Sequence, residues 1–141
     1  MAGKAAFLEE MVLDWFFGLG AFAGLGLPDE LGVGDYDYGL FKGDPEGAGV
    51  EVAGGSYARV AVAVGAAEYT RTGSVVTHDN DIDFGTATAD WATTPNPITH
   101  CAIYKGGDTD MLFAFELTAP FFVLNGQPFS FPAGTIVFDE D

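Results

Sequence analysis

The chain has 141 residues, of which 48% are hydrophobic and 14% aromatic, enough to fill a real core and too apolar for a disordered acidic tail. Its 21 Asp and Glu against 5 Lys and Arg leave a formal charge of -16. That sign repels phosphate backbones and anionic membrane surfaces, which argues against nucleic-acid and membrane partners.

Lys4 to Phe17 reads as the one helix. Leu8, Met11, Val12, Trp15 and Phe16 recur at the i, i+3, i+4, i+7, i+8 spacing of a single face, and Glu9, Glu10 and Asp14 lie off it. Those three acids also break the apolar run that would otherwise resemble a secretory leader. Phe7, Leu13 and Phe17 widen the apolar surface beyond one stripe, so the helix is expected to be buried on two sides or to dock on another subunit. Gly18 and Gly20 end it. Residues 18–34 form a glycine-rich connector.

Beyond the connector the period changes to two. Tyr36, Tyr38 and Leu40 alternate with Asp37 and Gly39, predicting a strand that ends at the turn from Gly43 to Gly47. Tyr57 to Val64 predicts a strand with Val on one face and Ala on the other, the small face being suited to close approach of the helix. Further strands are expected at Ser74–His78, Asp81–Phe84, Ile98–Tyr104, Met111–Leu117, Phe121–Leu124, Phe129–Phe131 and Thr135–Phe138. Between them lie Asp79-Asn80, Gly106-Gly107-Asp108, Asn125-Gly126 and Pro132-Ala133-Gly134, all turn chemistry. Asn125-Gly126 is the strongest hairpin signal. Leu117 to Phe138 carries no charge, but three prolines and two glycines rule out a membrane helix there. The pattern is all-β: an antiparallel β-sandwich, jelly-roll-like or Ig-like, with one N-terminal amphipathic helix, spanning 1–141 as a single domain.

Candidate chemistry is sparse. Cys101 adjoins His100, but neighbours on a strand face opposite ways, so Cys101 reads as a small core residue. As the sole cysteine it makes neither an intramolecular disulfide nor a cysteine zinc site. Asp79, Asp81, Asp83 and Asp90 imitate a calcium loop, yet Phe84 stands where its glycine belongs, and Ile82 and Phe84 alternate with the acids as in a half-buried strand. No P-loop, nucleotide-binding, GxSxG or HExxH motif occurs. We expect no catalytic residue, no cofactor and no metal. Arg59, mid-strand among Val and Ala, is expected either to pair with a carboxylate and hold register or an interface, or to mark an exposed edge.

Four segments then come together. The N-terminal helix followed by Val50-Glu51-Val52-Ala53-Gly54-Gly55-Ser56-Tyr57-Ala58-Arg59, the segment Ile82-Asp83-Phe84 through Ala87 to Asp90-Trp91, the strand ending His100-Cys101-Ala102-Ile103-Tyr104, and Phe129-Ser130-Phe131-Pro132-Ala133-Gly134 resemble, in the same order, short phage virion structural proteins labelled tail-fibre-like. The first strand and the connector depart from them. The resemblance implies a non-enzymatic particle component located in the virion. Acidic charge and an apolar helix favour, within that class, a capsid decoration (cement) protein that stabilises the head. Its expected partners are neighbouring virion proteins, the major capsid protein foremost, and further copies of itself, a trimer included. The expected interface is Phe7, Leu8, Met11, Val12, Trp15, Phe16 and Arg59. The alternatives are a tail fibre or tail-tip attachment protein, and a carbohydrate-binding module using Tyr36, Tyr38 and Trp91.

Overall fold

A computed structural model describes residues 6–19 and 34–139. They form one helix, α1 (Ala6–Phe17), and ten strands: β1 (Asp35–Lys42), β2 (Val50–Glu51), β3 (Val60–Ala63), β4 (Tyr69–Thr72), β5 (Val75–His78), β6 (Ile82–Thr86), β7 (Ile98–Lys105), β8 (Met111–Phe121), β9 (Pro128–Phe131) and β10 (Val137–Asp139). The fold is all-β, in antiparallel sheets with one short helix, as the alternation predicts. No described helix is long and apolar enough to cross a membrane. The described residues fall into two compact units, one drawn from 6–19, 34, 63–81 and 131–139, the other from Asp35–Val62 and Ile82–Ser130.

In the first unit β10, β5 and β4 form a three-stranded sheet on which α1 packs. Gly18 closes the helix with positive φ, and the Leu19 amide donates back to the Asp14 carbonyl at 2.8 Å. The buried stripe of the helix differs from the one its periodicity singles out. Leu13 and Phe17 are 4% and 0% exposed, whereas Val12, Trp15 and Phe16 stay half-buried. Phe17 lies 4.6 Å from the Tyr69 ring and 4.8 Å from the Phe138 ring. Asp14, which the periodicity sets off the apolar face, pairs through both carboxylate oxygens with Arg71 of β4. That pair turns Leu13 and Phe17 onto the sheet. Phe7, Leu8 and Met11 lie outside the residues whose side chains are described, as does most of the 18–34 connector.

His78 is the buried polar side chain of this unit. Its Nδ1–H donates to the Asn80 carbonyl at 2.8 Å, and Nε2 accepts the Ile136 amide at 3.0 Å. The two bonds fix the neutral tautomer and tie the segment before β10 to the end of β5.

The second unit holds a five-stranded sheet ordered β2-β1-β7-β8, with β3 also on β1, and a two-stranded β6-β9 sheet. Register places Tyr38 opposite Ile103 and Leu40 opposite Cys101, all four buried. On the other face Phe41, Ala102 and Tyr104 cluster with Met111 and Ala114. The β1–β2 turn needs Gly49, because a Cβ there would sit 2.5 Å from the Asp44 carbonyl. Between β7 and β8 the register jumps: Ile98 faces Phe121 but His100 faces Glu116, so Leu117 to Pro120 bulge opposite Thr99.

Two sequence expectations are corrected. Ala61 and Ala63, taken as a face for the helix, are exposed, and Val62 is the inward residue of β3. Asn125-Gly126 does form a turn, with the Gln127 amide on the Leu124 carbonyl at 3.0 Å, but its flanks do not pair with each other. Val123 bridges to Ala92, and β9 pairs with β6.

The helix register is directly testable. Phe17→Ala should cost about 3–5 kcal/mol and Val12→Ala about 1 kcal/mol or less in chemical unfolding; equal losses would contradict the orientation described.

Candidate functional site

The segment Gly54–Arg59 sends three side chains, Ser56, Tyr57 and Arg59, into hydrogen bonds with other elements. Gly55 has φ +57, and a Cβ on it would approach the Ala89 nitrogen to 2.8 Å, so only glycine lets the loop lie against residues 88–89. Ser56 Oγ donates to the Thr86 carbonyl at 2.6 Å. These two anchors set Tyr57 face to face with Phe84 at 6.2 Å and edge-on to Trp91 at 5.6 Å. The Tyr57 hydroxyl then accepts the Leu40 amide at 2.8 Å and donates to Glu51 Oε1 at 3.1 Å.

Two residues on, Arg59 grips the same carboxylate with both arms of its fork, Nε to Oε1 at 2.8 Å and Nη2 to Oε2 at 2.9 Å. Its Nη1 reaches the Asp108 carbonyl at 3.4 Å, and its Cζ lies 3.6 Å above the Tyr104 ring. Tyr104 in turn stacks on Phe41 at 6.4 Å. Of the two readings of Arg59, pairing with a carboxylate holds, the partner being Glu51. The bond to Glu51 raises the Arg59 pKa, partly offset by its burial. Burial pushes the Tyr57 hydroxyl well up, with the Leu40 amide opposing and the Glu51 charge adding. Burial likewise raises Tyr104, against the pull of Arg59.

This arrangement fastens rather than reacts: the tyrosines keep their protons at neutral pH and the single cation is bound to a fixed anion. Cys101 is fully buried, and burial drives its thiol upward, away from thiolate chemistry. His100 turns instead to Thr99, its Nδ1 2.8 Å from the hydroxyl. The calcium-like aspartates serve separate turns. Asp79 accepts from the Thr70 hydroxyl, Asp81 from the Ala133 amide, Asp83 from the Gly85 amide and Asp90 from the Asn125 amide. Among the described residues no three His, Cys, Asp or Glu side chains are grouped to hold a metal. Tyr36, Tyr38 and Trp91, the aromatics offered for stacking on sugars, are buried. They belong to the core.

An apolar ridge that none of the motifs above marks begins at the last residue of β8. Phe121, Phe122 and Leu124 are 40%, 47% and 43% exposed, with Val123 buried between them. The signal was present: Phe121-Phe122 puts two large apolar residues where alternation calls for one polar residue.

A family model described as Podophage GP4 fiber I protein gp80 matches residues 3–139. The chain belongs to this family. It is accordingly a phage structural protein associated with the virion, as the motif resemblance implied at that level. No curated protein matches it. For a member of the gp80 family, a site spent on joining strands is a coherent finding, since such a chain must hold its shape.

Two measurements check the site. A double-mutant cycle of Glu51→Gln and Arg59→Gln should give a coupling of about 1 kcal/mol, modest because both side chains are about a quarter exposed. Cys101 and Tyr57 hold their protons more tightly when folded, so the stability they contribute is intact below the unfolded thiol range and is lost as pH rises through it and through the phenol range. Melting scans at stepped pH should show loss beginning at about pH 9, and Cys101→Ala should move that onset to about pH 10.

Proposed function

We propose that this chain is a non-enzymatic structural subunit of a podophage fibre, held in the virion by contacts with neighbouring virion proteins and with copies of itself. The observation that carries this reading is the closed Glu51–Tyr57–Arg59 network. The groups that enzymes or binding modules would aim at a ligand here bind one another, under a family match to a fibre protein that spans nearly the whole chain. A charge of -16 suits a component on the outside of a DNA-filled particle, which neither adsorbs to the genome nor aggregates readily.

The same charge suits decoration of the head, where the sequence alone placed the chain. The fibre description of the family moves the balance to the appendage. Antibody-gold labelling of intact particles decides between them: label on fibres is expected, and label spread over the shell would replace this reading with capsid decoration. Sustained turnover of a polysaccharide by the purified protein would overturn the non-enzymatic reading.

A further inference from the structure

The ridge Phe121–Leu124 is built as a contact surface. Val123 is locked in place: it exchanges amide and carbonyl bonds with Ala92 at 3.1 and 3.2 Å, and its carbonyl also takes the Trp91 amide at 2.8 Å. The Asn125 amide is held by Asp90, the Leu124 amide by the Gln127 side chain at 2.9 Å, and the Gly126 amide by the Ala87 carbonyl at 2.7 Å. Phe121 leans edge-on against Phe129 at 5.3 Å. Three large apolar side chains are thus presented on backbone that is already ordered, so docking on them forfeits little conformational freedom. Exposed Phe at a rigid site is the composition of interface centres.

Size and charge together decide the occupant. The exposed part of the three side chains amounts to roughly 250 Å². Two copies meeting ridge to ridge would bury roughly 500 Å² from it, far below the roughly 1,200 Å² or more of a stable interface. The remainder would have to come from the surroundings, and these carry one sign. In 82–98 and 111–131 the charged residues are Asp83, Asp90 and Glu116, without a Lys or Arg. The unit as a whole has ten Asp and Glu against Lys42, Arg59 and Lys105, and Arg59 is already bound to Glu51. Identical copies would therefore set acid against acid, whereas a basic rim would add attraction around the apolar centre.

We infer that the Phe121–Phe122–Leu124 ridge is the docking site for a different virion protein, whose complementary surface is an apolar recess rimmed by Lys and Arg. This rests on the structural-subunit reading above and names the kind of partner it needs. The test uses whole phage. With benzoylphenylalanine in place of Phe122, irradiation of purified particles should give adducts to another virion protein, at a surface with Lys or Arg beside the attachment point. In parallel, particles made with Phe122→Asp should carry about tenfold less of this chain or lower. Particles made with Val137→Asp, an exposed apolar position of the other unit, should carry the ordinary amount, with both variants melting as the parent does.

Adducts confined to a second copy of this chain, adducts to an acidic surface, or undiminished incorporation of Phe122→Asp would each overturn the inference. Absence of the unmodified chain from purified particles would overturn the virion reading beneath it, a distinguishable failure.

Discussion

The ring of Tyr57 lies on Phe84 of β6 while its hydroxyl is bonded to Leu40 of β1 and Glu51 of β2, so one side chain belongs to both layers of the second unit. Those layers share no ladder, because β6 pairs with β9 and the larger sheet is built on β1 and β7. Side chains must therefore join them. A phenol does this well, burying a ring in one layer and delivering a hydrogen bond to the other. Glu51 makes the join rigid by also receiving Arg59, whose guanidinium covers Tyr104 at the far side of the sheet. Glu51 accepts from both Tyr57 and Arg59, so removing any one of the three side chains leaves another short of a partner.

A fibre protein needs this kind of economy in its polar groups. Under the structural-subunit reading proposed above, polar groups serve best when they fix the shape of the chain. In the second unit burial raises the thiol of Cys101 and the phenol of Tyr57, and the exposed Leu124 lies in a segment whose amides, from Val123 to Gln127, are already bonded. A formal charge of -16 repels surfaces of the same sign within the Debye length of about 8 Å at physiological salt.

Much of the fold was legible because alternation is a local property. Ile82 and Phe84 are buried and Asp83 exposed, as their spacing predicts, and Tyr36, Tyr38 and Leu40 line the core together. What escaped was decided by distant partners. The helix carries two apolar stripes, and nothing near it in sequence reveals that Arg71, 57 residues away, selects the stripe of Leu13 and Phe17 by capturing Asp14. Asn125-Gly126 correctly announces a turn, but turn chemistry is silent on whether the flanking segments pair with each other or with Ala92 and β6. β2 has only two residues, too few to show any period. Arg59 stood out as an anomalous charge, yet its identification with Glu51 required the loop that brings them face to face. The exposed ridge shows in the sequence as a doubled phenylalanine, which fits a strand pattern equally well.

The bulge in β8 bears on how many such molecules can be crowded together safely. An eleven-residue strand at the margin of a sheet is an invitation to endless lateral growth, the route by which β proteins become fibrils. Leu117 to Pro120 interrupt that margin, and the proline withholds one amide altogether, so a newcomer finds no template running the length of the strand. The interruption therefore guards this margin against the open-ended stacking that ends in an irreversible deposit.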